Sequence, residues 1–414
     1  MRTFTTNAVI AILILTTSCS TKPNTNRAWF DPEETWNVVI PVSIGDSISA
    51  KMFFDTGCQY GYLMLDSTFC AETNLLASIK ESGIRTPYYL SAFAAHNPAY
   101  TRSAREYKNP IILNIGSNNV WYKPFRILDS RRDFAIKVDG MAGFPKNDTT
   151  RVWELNFSHN YLEIHPATDF KMPENCYVLP LIEGPRPNLP HVRFPIKITS
   201  SNGDTITIHE TYLVDTGLTQ DMVLTPNSKA FAFFDKLDDA LLVTTAAGYR
   251  SRYIVGAEVF DNTTIDSLRI YTDQFAEVLI RAGTKGILGL NFLKRFNLFF
   301  DFKNKLLGFQ PTGKPFERAV NPNVTRFYYS ASFTKDQRYI VTMVADIVEN
   351  PLKEAGLLVG DEITGWDGVS LKELLAGYRA EEKEKRTVHV LDIIRNGEAM
   401  QLTWQSIDDG WAGD

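Results

Sequence analysis

The chain has 414 residues, 44% of them hydrophobic and 22% charged, ordinary globular values for two or three domains with buried cores. Its formal net charge of -5 is mild, and with no long basic cluster the sequence gives no reason to expect nucleic acid as a partner.

The N-terminus reads as a processing segment, outside the fold. Arg2 supplies a short positive region, and Ala8–Leu15 (AVIAILIL) is an apolar core too short to span a bilayer. Thr-Thr-Ser-Cys then ends at Cys19. A small residue followed by Cys directly after such a core resembles a bacterial lipoprotein signal. The resemblance implies removal of residues 1–18, lipidation at Cys19 and a lipid-anchored tether over residues 19–29 that includes the polar stretch Ser20–Arg27. Thr16 stands three residues before Cys19 where such signals carry Leu, and an ordinary secretory signal is the alternative. Either way the protein leaves the cytoplasm. The expected location is the bacterial cell envelope, on a membrane through the lipid and facing the periplasm or the surface.

Cys58, Cys70 and Cys176 remain in the mature protein, an odd number that excludes a full disulfide framework and leaves a single Cys58–Cys70 bridge open. With six scattered His and no Cys-x-x-Cys pair, neither a metal nor another cofactor is expected.

Further along, the sequence repeats itself. Met52-Phe53-Phe54-Asp55-Thr56-Gly57 recurs as Tyr212-Leu213-Val214-Asp215-Thr216-Gly217, at an offset of 160. Asp139–Phe144 corresponds to Lys285–Leu290, an offset of 146, and Glu154–Leu162 to Phe299–Leu307, an offset of 145. Each half thus runs in one order: an Asp-Thr-Gly triplet after an apolar strand, a Gly-x-x-Gly turn between apolar residues, then a tight hairpin. Asn37–Ile44, Pro110–Ile115, Phe194–Ile198 and Thr205–Ile208 read as strands, with Ser201-Asn202-Gly203-Asp204 as a turn. The expected fold is mainly β: two β-barrel lobes over residues 30–168 and 176–312, related by a pseudo-twofold axis and linked by the proline-bearing stretch Pro166–Pro190. After Pro311 the character changes. Tyr339–Val344 and His389–Ile394 read as strands and the charged Leu371–Glu384 as a helix, giving a small α+β domain over residues 325–407.

The triplets supply a specific chemistry. Hydrolysis of a peptide at moderate pH needs an activated water and an acid for the departing nitrogen, and two carboxylates sharing one proton supply both. They share it because like charges a few ångströms apart cannot both ionise cheaply. Asp55 and Asp215, brought from two similar lobes, are the candidate catalytic pair. Gly57 and Gly217 allow close approach of the loops, and Thr56 and Thr216 can hydrogen-bond across the axis. A lone Asp-Thr-Gly also occurs in ordinary β-turns; two in matching contexts make one site.

Phe53–Gly57, Leu213–Gly217 and above all Gly286-Ile287-Leu288-Gly289-Leu290-Asn291-Phe292-Leu293 resemble the retropepsin-like aspartic peptidase family. The resemblance covers residues 36–311 and is firmer in the second lobe, because Ala142 replaces a larger aliphatic in the first. It implies catalysis by the triplet Asp, a cross-axis grip by the triplet Thr, and the Gly-containing turn packed beneath the active-site loop. Both lobes lie in one polypeptide, as in pepsins, so a monomer suffices and the expected partner is a peptide or protein substrate. The family closes its cleft with a flap. The candidates here are Ser91, Ala92 and Phe93 in the first lobe and Ala247, Gly248 and Tyr249 in the second, with plain turns as the alternative. Pepsin-like enzymes often carry Ser or Thr after the triplet, where a hydroxyl favours the ionised carboxylate. Cys58 and Leu218 stand there instead, which implies raised dyad pKa values and activity at weakly acidic to neutral pH.

Ala355-Gly356-Leu357-Leu358-Val359-Gly360-Asp361-Glu362-Ile363 and Ile394-Arg395-Asn396-Gly397-Glu398 resemble a PDZ domain, which implies a C-terminal peptide as a ligand. The Phe333–Tyr339 segment lacks the glycine-rich loop that would hold the carboxylate, so a packed accessory domain is the alternative. For the protein as a whole, the alternative to a peptidase is a non-catalytic peptide-binding protein with a degenerate cleft.

Overall fold

The computed structural model describes residues 26–31, 37–45, 47–58, 63–78, 84–88, 102–128, 138–145, 148–182, 189–200, 203–225, 228–230, 233, 241–245, 248–260, 263–273, 286–316, 329–334, 338–344, 350–375 and 388–405. Short strands dominate them. The first half carries β1 (Arg27–Trp29), β2 (Val39–Ile44), β3 (Ile48–Phe54), β4 (Leu63–Asp66), α1 (Ser67–Glu72), α2 (Leu75–Ser78), β5 (Ile84–Tyr88), β6 (Arg102–Tyr107), β7 (Ile111–Ile115), β8 (Asn118–Tyr122), β9 (Phe125–Leu128), β10 (Gly140–Ala142), β11 (Arg151–Asn156) and β12 (Tyr161–Pro166). The second carries β13 (Tyr177–Pro180), β14 (His191–Thr199), β15 (Thr205–Val214), β16 (Met222–Leu224), β17 (Leu241–Thr245), β18 (Gly248–Val259), β19 (Thr263–Asp273), β20 (Gly286–Leu288), α3 (Leu290–Leu293), β21 (Phe296–Asp301) and β22 (Leu306–Pro311).

The two halves build the same core motif. In the first, β3 lies between its hairpin partner β2 and the short parallel strand β10, with Met52 opposite Gly140 and Phe54 opposite Ala142. In the second, β15 lies between β14 and the parallel β20, with Tyr212 opposite Gly286 and Val214 opposite Leu288. Beyond the short strand, β4 and β16 run antiparallel to it, and β9 and β19 run parallel to those. The first motif sits in a nine-stranded sheet. The second sits in a seven-stranded sheet whose strands β14 and β18 also pair, which closes it on itself. Apolar side chains at alternate positions supply the burial: Ile40, Met52 and Phe54 in one lobe, Ile196, Tyr212 and Val214 in the other.

The Gly-x-x-Gly segments, expected as turns, are strands instead: Gly140–Ala142 and Gly286–Leu288 each sit between two others. Glycine opens each because the neighbouring backbone comes so close. A Cβ on Gly140 would lie 2.3 Å from the Met64 carbonyl oxygen.

A third sheet, in the order β1-β12-β11-β21-β22-β13, is shared between the halves. Its centre is the antiparallel pairing of β11 with β21, Trp153 opposite Phe300 and Leu155 opposite Leu298. The hairpins expected from the repeat are both present, and Asn160 and Lys305, at equivalent places in the two copies, hold φ of 58° and 55° at their corners. Trp153 stacks on Phe54 at 5.7 Å, and Phe144 meets Phe300 at 4.7 Å, so one apolar core runs beneath both lobes. The shared sheet also takes in residues from outside the lobe boundaries drawn from sequence: Arg27–Trp29, counted with the tether, pair with β12. Tyr177–Pro180, where the proline-bearing link overlaps the start of the second lobe, pair with β22. Ala28 is buried and the Arg27 guanidinium meets Glu163 at 2.7 Å, which fixes the edge strand.

The C-terminal part has its own sheet and core. β23 (Tyr329–Phe333), β24 (Tyr339–Val344), β25 (Glu362–Trp366), β27 (Val388–Arg395) and β28 (Glu398–Gln405) lie in that order, with β26 (Val369–Ser370) against β25 and two short helices, α4 (Pro351–Glu354) and α5 (Leu371–Leu375). Val341, Leu352, Leu357, Ile363, Leu391 and Ile393 form the core. Arg395 grips Asp361 through two contacts of 2.7 Å, which ties the turn after α4 to β27. The expected helix over 371–384 is seen as α5; the rest of it lies outside the described residues. Among the described residues no helix is long and apolar enough to cross a membrane. Cys58, Cys70 and Cys176 are free thiols, so no Cys58–Cys70 bridge is present.

Candidate active site

β3 and β15 end side by side, and each delivers its triplet to the same place. The backbone N–H of Asp55 donates to the Ala142 carbonyl at 2.9 Å, and that of Asp215 to the Leu288 carbonyl at 2.9 Å. The short parallel strand therefore sets the height of each aspartate. The threonines then lock the loops together. Thr56 Oγ1 donates to the Val214 carbonyl at 2.9 Å and accepts from the Thr216 N–H at 3.0 Å. Thr216 Oγ1 does the mirror image, donating to the Phe54 carbonyl at 2.8 Å and accepting from the Thr56 N–H at 3.0 Å. Both threonines are buried, so these four bonds are shielded from water. The expected cross-axis grip is present on both sides.

This grip brings the two carboxyl groups together. Asp55 Oδ1 accepts from the Gly57 N–H at 2.8 Å and Asp215 Oδ1 from the Gly217 N–H at 2.8 Å. The two side chains hydrogen-bond to each other, and each also meets the opposite triplet's glycine N–H. Neither triplet glycine has positive φ, so close approach explains their presence. A Cβ on Gly57 would lie 2.2 Å from Asp215 Cγ, and one on Gly217 would lie 2.6 Å from Asp55 Cγ. Each glycine is the space its partner's carboxyl occupies.

Packing around the pair decides its charge. Burial pushes Asp55 well above the usual carboxylate range, and the charge of Asp215 and the bond to it push the same way. Burial also raises Asp215, but the bond from Asp55 and amides from Gly217, Leu218 and Gly57 oppose it. Burial thus favours the protonated form on both sides of the pair. Burial is the largest cause for both carboxyls.

The loop after Asp215 is held from behind. The N–H groups of Leu290 and Asn291, at the start of α3, donate to the Leu218 and Thr219 carbonyls at 2.6 and 3.2 Å. Asp221 was not singled out from sequence. It is fully buried, its carboxylate accepts from the Arg269 N–H at 2.9 Å, and its carbonyl accepts from the Gly289 N–H at 2.9 Å. A lone Asp just before the apolar run Met222-Val223-Leu224 is the signal that could have marked it. In the first lobe the Tyr122 hydroxyl donates to the Gly143 carbonyl at 2.8 Å beneath the Asp55 loop, a link between strands with no mark in local sequence.

The flap candidates are placed in part. Ser91, Ala92 and Phe93 lie outside the described residues, between the paired strands β5 and β6 whose last register is Tyr88 with Arg102. Ala247 also lies outside them. Gly248 and Tyr249 begin β18, in a hairpin with β17 whose last pair is Thr245 with Gly248. Cys19 lies outside the described residues. Among the described residues, Glu154, Glu163 and His165 form one group whose ligand atoms lie within 4.8 Å of one another, on strands β11 and β12. Arg27 already occupies Glu163, and Asn156, Tyr161 and His165 bond to Glu154, so the group is internally satisfied.

No protein-family model matches this sequence, and no curated protein matches it either. Among solved structures, an aspartic proteinase from Irpex lacteus matches with 16% sequence identity over 69% of this chain and 97% of that one, at a TM-score of 0.44. The architecture described above rests on its own strand pairings.

Proposed function

We propose that this protein is an aspartic endopeptidase that hydrolyses peptide bonds with a water activated between Asp55 and Asp215. The observation that carries the reading is the meeting of the two carboxyls, one from each lobe, hydrogen-bonded to each other and seated on each other's glycine. One carboxyl of the pair holds the shared proton and the other is ionised, because burial and the neighbouring charge keep both from ionising together. In the reaction the ionised carboxyl takes a proton from water as the water oxygen adds to the substrate carbonyl carbon, and the protonated one gives its proton to the carbonyl oxygen. The proton gained from water then passes to the departing nitrogen as the C–N bond breaks. The other carboxyl recovers its proton as the hydroxyl of the adduct returns to a carbonyl, and the pair ends with one proton as it began. Both lobes belong to one polypeptide, so one molecule contains the full pair.

Cleavage of an unfolded protein, blocked by a statine-containing inhibitor, tests this reading. Asp55→Asn and Asp215→Asn each should abolish the cleavage, and unchanged cleavage in either variant would sink the reading. The rate should be greatest at weakly acidic to neutral pH, because raised pKa values keep one proton on the pair there. An optimum at strongly acid pH refutes that part. On this reading the enzyme belongs to the bacterial envelope, held by a lipid on Cys19; Cys19→Ala should release it from membranes into the soluble fraction, and retention of the variant counts against the anchor. The C-terminal sheet is read as a PDZ-like module for peptide C-termini. Peptides should lose binding to it on C-terminal amidation, and equal binding of both forms argues for an accessory domain.

A further inference from the structure

Arg295 sits just after α3 and touches three parts of the molecule. Its Nη1 donates to the Asn291 carbonyl at 2.9 Å, within the helix whose first N–H groups clamp the Asp215 loop. Its Nη2 lies 3.8 Å from Asp221 Oδ2, at the end of that loop, where the carboxylate is fully buried. On its other side the guanidinium lies over Phe316, with Cζ 3.5 Å from the ring centroid. Phe316 belongs to the segment that leaves the second lobe for the C-terminal sheet, which begins at β23. The same segment is fastened beside it: the Thr312 N–H donates to the Arg295 carbonyl, and Lys314 Nζ donates to the Ser158 carbonyl in the shared-sheet hairpin. Arg295, Lys314 and Phe316 also line a groove of about 430 Å³ together with Thr264 and Asp266, so the Phe316 side of the contact borders open space. The repeat offers no counterpart in the first lobe: Leu63 pairs with Ala142 as Met222 pairs with Leu288, and the residue before Leu63 in the sequence is Tyr62.

We propose that Arg295 is a positioning residue that ties the loop carrying Asp215 to the segment leading into the C-terminal domain. The link is one-sided, so a pull on that segment acts on the Asp215 loop directly and on the Asp55 loop only through the threonine grip. A buried carboxylate depends strongly on a nearby cation, and a guanidinium freed from Phe316 can turn away from Asp221 towards water. The catalytic consequence rests on the peptidase reading; the mechanical link does not.

The test uses the full-length protein with Phe316→Ala and Arg295→Lys, and reads hydrogen–deuterium exchange over residues 215–221 and 53–58. Phe316→Ala should speed exchange in 215–221 by roughly three- to tenfold, the range for losing one such contact, and speed 53–58, which is reached only through the threonine grip, clearly less. Arg295→Lys, which keeps the charge and loses the flat stack, should fall between parent and Phe316→Ala. In the peptidase assay Phe316→Ala should lower kcat and leave KM within about twofold. Phe316 is only half-buried, so this variant should keep the parental thermal midpoint within a few degrees. Unchanged exchange in 215–221, or equal acceleration in both loops, overturns the proposal whether or not peptides are cleaved. Selective acceleration in a protein that cleaves nothing upholds the link and removes the peptidase reading alone.

Discussion

Gly57→Ala isolates the geometry of the dyad with a single methyl group. The backbone at Gly57 does not have positive φ, so alanine brings no conformational strain of its own. Its Cβ would lie 2.2 Å from Asp215 Cγ and 2.4 Å from each of its oxygens, where ordinary contact begins at 3.4 Å. Relief of that overlap takes a shift of roughly 1 Å, either of the carboxyl or of the two loops, and a misplacement of that size costs on the order of 100-fold in rate. The cross-axis threonine bonds resist parting of the loops, so the carboxyl gives way and its bond to Asp55 breaks. Overpacking of this kind costs roughly 1–3 kcal/mol of stability. Cleavage of a fluorophore-quenched unfolded protein by purified Gly57→Ala should therefore fall by about two orders of magnitude while the variant still melts cooperatively. Gly256→Ala serves as the control, because the nearest heavy atom to its Cβ, the Thr199 carbonyl oxygen, is 3.8 Å away. Parental activity in Gly57→Ala would refute this account, since it would mean that the contact between Gly57 and Asp215 does not exist in solution.

Thr216→Val keeps the shape of the side chain and orphans the Thr56 N–H and the Phe54 carbonyl, at roughly 1–3 kcal/mol for each buried group. Urea unfolding should show that loss, and Thr56→Val with Thr216→Val should cost less than the sum of the two, because both break one network; strict additivity argues against a shared grip. Asp55→Asn gives a pH signature. Burial raises the folded pKa of Asp55 above its unfolded value of about 3.9, so its contribution is fully present below that value and is lost as pH rises through the folded pKa. The thermal midpoint of Asp55→Asn relative to the parent should therefore climb from pH 4 towards neutrality. A difference that stays flat or shrinks with pH means that burial does not raise this group.

The β class, the twofold repeat and the two aspartates proposed as the catalytic pair were all legible in the order of the amino acids. These are local properties: alternation within a strand, a turn-forming triplet, and a near-constant offset between copies. Hairpin corners at Asn160 and Lys305 were legible for the same reason. Other features depend on residues far apart in sequence and emerge only on folding. Strand β10 looked like a turn because glycines mark both, and its place between β3 and β4 is made by partners well upstream of it. The sharing of one sheet by both halves, including residues assigned to a tether and a linker, follows from pairings such as Trp153 with Phe300. The triplets themselves are identical in sequence, so no reading of them could say what surrounds each aspartate. Burial raises both, and the tie of Arg295 to Asp221 belongs to one lobe alone. Charge in a buried site is set by the atoms packed around it, and those arrive only when the polypeptide folds.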